Sequence, residues 1–275
     1  MKTDELFEAL WSQYTEMTPS AEKIRQCFNE LGETVINDHI AFRTFNDPRV
    51  NIEVLAKPFK NLGYVEKGSY EFKEKKLFAH HYELPDSPEA PKIFISELLL
   101  EQCSAEVRKI IAQILEKIPV EMQNHDTLLM AGRWWKLAFK DYESLRKESE
   151  YASWMYVFGF CANHFTVLVN KLKTMTTLQQ VNDFLKEKGF RLNNAGGEIK
   201  GTPEQLLEQS STLADQVEVD FDEGIKTVPG CYYEFARRYP KNNGQLYSGF
   251  IAASADKIFE STNVSLAEKI LSKRI

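Results

Sequence analysis

Hydrophobic and polar positions alternate most clearly in the segment Asp38-His39-Ile40-Ala41-Phe42-Arg43-Thr44-Phe45. Ile, Phe and Thr bracketed by turn residues predict a β-strand. His39, Ala41, Arg43 and Phe45 then share one face, and Ile40, Phe42 and Thr44 point the other way, toward a core. Upstream, Leu6, Leu10, Tyr14, Ile24, Phe28 and Leu31 recur at helical spacing, which predicts helix from about 4 to 31. Thr18-Pro19-Ser20 breaks that run and restarts it. Downstream, a helix is expected from about 50 to 62, stopping near Gly63 and kinked or restarted at Pro58. Tyr64 to Leu84 alternates enough for two strands around a turn at Lys73 to Lys75, and Pro91 to Ile95 adds a short strand. The order is β-α-β-β-β.

The next stretch reads as helical. Leu98 to Ile118 has helical periodicity, and Thr127 to Leu145 predicts a helix containing Trp134 and Trp135. A second strand follows in Asn163-His164-Phe165-Thr166-Val167-Leu168-Val169-Asn170. Here His164, Thr166 and Leu168 share a face opposite Phe165, Val167 and Val169. Thr177 to Lys188 predicts a helix ending at Gly189, and Asn193 to Gly201 a turn region. Strand candidates lie at Gln216 to Asp220 and Gly230 to Arg238, and helical patterns at Asp256 to Glu260 and Ser265 to Lys273.

The halves echo each other. Phe59-Lys60-Asn61-Leu62-Gly63-Tyr64 matches Phe184-Leu185-Lys186-Glu187-Lys188-Gly189-Phe190 after a His-bearing strand and a helix. A tandem repeat of one β-α-β-β-β unit is therefore expected. The expected organisation is a single globular domain over 1–275, of class α+β. It has a first module at 39–100, a helical insertion at 101–160, a second module at 161–240 and a C-terminal segment with helix at 241–275. One such module would expose an apolar face, whereas two can close a cup around a site.

Composition narrows the class only a little. The 275 residues, 43% hydrophobic and 27% charged, suit a soluble globular protein with a sizeable core. A formal charge of -6 argues against nucleic acid as a partner. The apolar runs are too short for a membrane span, and Met1-Lys2-Thr3-Asp4-Glu5 lacks a signal-peptide pattern. The four cysteines, Cys27, Cys103, Cys161 and Cys231, are widely spaced, as in reduced thiols of a cytoplasmic protein.

The candidate chemistry lies on three strands. In Tyr232-Tyr233-Glu234-Phe235-Ala236-Arg237-Arg238, Glu234 shares a face with Tyr232, Ala236 and Arg238. The position two beyond His39, His164 and Glu234 is small in each case: Ala41, Thr166 and Ala236. Two histidines and a carboxylate with vacant coordination positions suit non-haem Fe(II). Each histidine alone reads as a hydrogen-bonded core residue, and the three matched strands turn the reading toward ligands. Glu97 reads as a symmetry mate of Glu234 and fourth ligand, or as a first-turn acid behind a Ser96 cap. Arg43 suits a bidentate contact to a carboxylate, or a structural salt bridge, and Arg238 is a similar candidate. His80 and His81, being adjacent, point to opposite faces, and His125 sits in a polar stretch. No phosphate loop, Gly-x-Ser-x-Gly elbow or His-Glu-x-x-His motif is present.

At these residues the chain resembles a known family. His39-Ile40-Ala41-Phe42-Arg43-Thr44-Phe45, Asn163-His164-Phe165-Thr166 and Tyr233-Glu234-Phe235-Ala236-Arg237-Arg238 are similar to the 2-oxoadipate dioxygenase/decarboxylase family. That family is a branch of the vicinal oxygen chelate superfamily, built from paired β-α-β-β-β modules. Phe250 to Glu260 resembles its C-terminal segment. The resemblance implies Fe(II) held by His39, His164 and Glu234, with Arg43 on a substrate carboxylate. It also implies a chelating 2-oxo acid, O2, and oxidative decarboxylation, which for 2-oxoadipate gives 2-hydroxyglutarate in lysine breakdown. Arg238, Tyr232 and Ser254 are further candidates for substrate contact. The alternative is a lyase, isomerase or hydrolase of the same fold using Zn, Ni or Mn without O2. Oligomeric state is left open.

Overall fold

The computed structural model describes residues 3–123 and 125–262. The expected helix at Ser265 to Lys273 lies outside them. The described elements are α1 (Thr3–Met17), α2 (Pro19–Glu30), β1 (Asn37–Phe45), α3 (Ile52–Asn61), β2 (Val65–Phe72), β3 (Leu77–Glu83), β4 (Lys92–Leu98), α4 (Ala105–Leu115), α5 (Phe139–Glu148), α6 (Glu150–Phe158), β5 (Ala162–Leu168), α7 (Leu178–Glu187), β6 (Lys200–Thr202), β7 (Leu207–Ser211), β8 (Gln216–Phe221), β9 (Gly224–Pro229), β10 (Glu234–Arg238) and α8 (Ala252–Phe259). Pro58 sits inside α3 without ending it. Trp134 and Trp135 are not helical: α5 begins only at Phe139, and Gly132 instead forms a bridge with Phe160.

The described residues form two compact units. One comprises 3–14, 41–163 and 216–228, and the other 15–40, 164–215 and 229–262. The first unit carries β2, β3, β4 and the second half of β1, hydrogen-bonded in that order. Its helix α3 is capped by Asn51, whose side chain accepts from the Val54 amide. Phe42 of β1 packs on Phe59 of α3 at 5.5 Å. Phe42, Leu55 and Phe59 are fully buried or nearly so, as the apolar pattern requires.

The second unit repeats the connectivity with β5, α7, β6, β7 and β10, in the sheet order β5-β10-β7-β6. Helix α7 opens with a capping box in which Thr177 and Gln180 bond each other's backbone. Phe28 of α2 packs against Phe184 of α7 at 5.6 Å and Phe235 of β10 at 6.3 Å. The ribbon β8-β9 interrupts the second module between β7 and β10. The strand expected at Gln216 to Asp220 is thus part of that ribbon, and the module's own middle strands are the short, polar β6 and β7.

One local device appears in both modules. A 3-10 turn, Lys73–Lys75 or Pro203–Gln205, leads to a left-handed residue, Lys76 (φ 58°) or Leu206 (φ 65°), and then to a strand beginning with leucine. Leu77 pairs with Leu98, and Leu207 with Arg238. This match aligns Ala79 with Gln209, His81 with Ser211, and Phe94 with Glu234.

Candidate metal centre

The centre lies within the second unit, on the sheet face away from α7. Ser210 donates to Asn182 of α7 at 2.8 Å, so its neighbours Gln209 and Ser211 face the other way. The register places Thr166 and Ser211 on either side of Glu234, and Lys200 and Ala236 on either side of Gln209. Paired residues share a face, so these side chains converge.

His39, His164 and Glu234 meet there, all buried, with their ligand atoms within 4.8 Å of one another. His164 Nε2 lies 3.1 Å from Glu234 Oε2, and His39 Nε2 lies 3.7 Å from Oε1. The imidazoles meet edge to face at 5.5 Å. Asp38 accepts from His39 Nδ1 at 2.8 Å. A buried carboxylate can only accept, so the proton sits on Nδ1 and Nε2 presents its lone pair. The Thr166 hydroxyl meets that lone pair at 3.1 Å. Donors so close together, with one imidazole already fixed in the ligating tautomer, fit a divalent metal.

Electrostatics favour an ionised Glu234. Burial pushes its carboxyl up, but His39, His164 and the Gln209 amide together outweigh that and hold it below the usual carboxylate range. Gln209 Nε2 donates to Oε1 at 2.6 Å. Lys200 is also buried, its ammonium donating to the carbonyls of Asn193 and Glu198. Burial pushes its pKa down to about 8, against the opposing pull of Glu234.

The other candidates take different places. Arg238 directs Nε and Nη2 to the two oxygens of Asp38, at 2.6 and 2.8 Å, and Nη1 to the carbonyls of Tyr247 and Gly249. Arg238 thus anchors the carboxylate that orients His39. Tyr232 stacks on the His164 ring at 4.7 Å, supporting that imidazole from the side. Ser254, near the start of α8, lies against Gly201 of β6, where a Cβ would meet its hydroxyl at 3.2 Å. Phe250 meets the His39 ring edge to face at 4.8 Å.

In the first unit, the Arg43 guanidinium stacks over Tyr151 at 5.0 Å and Trp154 at 4.9 Å. Glu97 is not the mate of Glu234; the strand register assigns that position to Phe94. Glu97 instead accepts from the Ile52 amide at 3.0 Å and caps α3, while Ser96 lies within β4 rather than at a helix start. His81 is held between Tyr70 and Glu83, His80 pairs with Glu66, and His125 meets Thr127.

The sequence matches the family model for 2-oxoadipate dioxygenase/decarboxylase over residues 2–245. The chain belongs to that family. A 2-oxoadipate dioxygenase/decarboxylase of Arabidopsis thaliana, described as chloroplastic, is 34% identical over 275 residues, covering 90% of this chain and 74% of the relative. Among solved structures, the hydroxyglutarate synthase of Oryza sativa in complex with 2-oxoadipate aligns with a TM-score of 0.87 at 32% identity. That match covers 96% of this chain and 94% of the other. A Shewanella frigidimarina protein described as a hydrolase aligns with a TM-score of 0.86 at 51% identity, covering 90% and 97%. The paired β-α-β-β-β modules of this α+β fold are those the family resemblance implied.

Sequence reasoning passed over Asp38, Gln209 and Lys200. Asp38 adjoins His39, and neighbours on a strand normally face apart. Gln209 and Lys200 sit on strands too polar to register as alternating. Their signal was available only through the repeat, as positions matching β2 and β3.

Proposed function

We propose that this chain is an Fe(II)-dependent dioxygenase that oxidatively decarboxylates 2-oxoadipate to 2-hydroxyglutarate. The observation carrying the reading is the buried convergence of His39, His164 and Glu234 in a chain of this family. Three protein ligands leave coordination positions for a chelating 2-oxo carboxylate and for O2. The bound iron would supply the redox chemistry, consuming one O2 for each CO2 released.

The protein's part is binding and orientation. Asp38 keeps His39 in the ligating tautomer, and Arg238 keeps Asp38 in place. Arg43 shares its strand face with His39 and is the group we assign to a substrate carboxylate. The rings of Tyr151 and Trp154 hold that guanidinium in a fixed plane. Burial of the three ligands excludes water from the reacting atoms.

Oxygen uptake by Fe(II)-reconstituted protein under ascorbate, with 2-oxoadipate and shorter 2-oxo acids, tests the reading. Uptake matched by CO2 and 2-hydroxyglutarate is expected. His164→Ala and Glu234→Ala should abolish it with the fold retained, while Arg43→Ala should mainly raise KM. Metal-loaded protein that consumes no O2 with any of these acids would move the assignment to the non-oxidative chemistry of a lyase, isomerase or hydrolase. Full turnover by His164→Ala would sink the ligand assignment itself.

A further inference from the structure

Gln209 is 2% exposed, and its side chain makes one hydrogen bond, from Nε2 to Glu234 Oε1 at 2.6 Å. Its own Oε1 is buried and accepts from no group among the described residues. Buried amides normally satisfy both ends, so an orphaned acceptor beside a cluster of ligand atoms calls for an explanation. The two oxygens of Glu234 are also unequal. Oε2 faces His164 Nε2 at 3.1 Å, whereas Oε1, farther from its imidazole at 3.7 Å from His39 Nε2, accepts from the amide.

We propose that Gln209 is a positioning residue that commits Glu234 to one-oxygen ligation, and that its own carbonyl receives a hydrogen-bond donor brought by the occupied centre. Holding Oε1 turns the carboxylate so that Oε2 is the oxygen offered to the metal. A carboxylate tied in this way takes one coordination position rather than two, which keeps another free for ligand. The donor that suits the Gln209 carbonyl is a water or hydroxyl held at the centre. A 2-oxo group offers only acceptors and cannot supply it, whereas a 2-hydroxy acid or a bound water can. The backbone supports this assignment. Gln209 sits mid-strand in β7, paired on one side with Ala236 and on the other with Lys200. Ala236 is small, so the amide has room to reach past it to Glu234. Hydrogen-bonding partners of metal ligands typically govern affinity by about 10–100-fold.

The inference rests on the metal-centre reading above, and its test keeps the two apart. Metal-free full-length protein is titrated with Co(II) against a chelator of known affinity, and the visible spectrum of the loaded protein is recorded. Gln209→Met keeps the length and removes the donor, whereas Gln209→Asn keeps the amide and retracts it beyond reach. Both should bind Co(II) about 10–100-fold more weakly and alter its absorption bands. His164→Ala is the control for the centre and should lose the bands altogether. Wild-type affinity and spectrum in Gln209→Asn, with the bands lost in His164→Ala, would overturn the role of Gln209 while leaving the centre standing. Unaltered binding in His164→Ala would overturn both. If Gln209→Met does not fold, Gln209→Asn decides alone.

Discussion

Replacing Asp38 with Asn tests the chain of charge behind His39. The side chain keeps its shape but loses the carboxylate that accepts from His39 and pairs with Arg238 through two contacts of 2.6 and 2.8 Å. Arg238 is 2% exposed, so the substitution strands a buried guanidinium whose remaining acceptors are backbone carbonyls. Removing one partner of a buried pair costs about 3–5 kcal/mol. Arg238→Met should cost a similar amount by stranding the carboxylate. The double variant should cost less than the two single losses combined, since it leaves no uncompensated charge; a coupling of about 2–3 kcal/mol is expected. Urea unfolding of the metal-free proteins measures all four corners of this cycle. Asp38→Asn should also weaken metal binding by about 10–100-fold, because the His39 Nδ1 proton loses its anionic acceptor. Strictly additive losses, or an Asp38→Asn protein as stable as wild type, would refute the argument.

Two further outcomes follow from the first unit. Hydrogen bonds from Lys76 and from the hydroxyl and amide of Ser104 hold Glu148 down to about 2. Its contribution is therefore fully present above the unfolded carboxylate value of about 4.3 and is lost as pH falls through about 2. Glu148→Gln should cost about 0.5–1 kcal/mol at pH 7, the pair being partly solvated, and the gap from wild type should close below about pH 4 in urea titrations. A gap that widened with acid would reverse the sign. The Tyr151 hydroxyl donates to the Ser96 carbonyl at 2.7 Å and accepts from the Thr44 amide at 2.9 Å. Tyr151→Phe orphans these groups and should lower stability by about 1–3 kcal/mol in the same assay, and a neutral result would contradict the hydrogen-bond assignment.

The three candidate ligands were legible because each lies on a strand whose opposite face is apolar. Ile40 and Phe42, then Phe165 and Val167, then Tyr233 and Phe235 give the alternation that places His39, His164 and Glu234. The polar side of the second module left no such trace. Strands β6 and β7 read Lys-Gly-Thr and Leu-Glu-Gln-Ser-Ser, because one face serves the site and Ser210, on the other, bonds α7. Chemistry displaced the hydrophobic code there, and the regular alternation lies in β8 instead. Glu97 was misplaced for a related reason. Counting along the sequence cannot fix strand register, and the actual pairing shifts the mate of Glu234 to Phe94.

The paired left-handed residues, Lys76 and Leu206, carry a consequence for how the two halves have been able to diverge. Neither is glycine, yet both take positive φ after the same kind of 3-10 turn. That turn sets where the following strand begins, and hence which side chains face each way, without calling on any residue farther along. Because register is settled at the strand entrance, the positions downstream are free to change character: Ala79 stands where its counterpart is Gln209, and Phe94 where its counterpart is Glu234. One module thus carries candidate ligands and the other aromatic rings at matched positions, with the strand alignment kept in both.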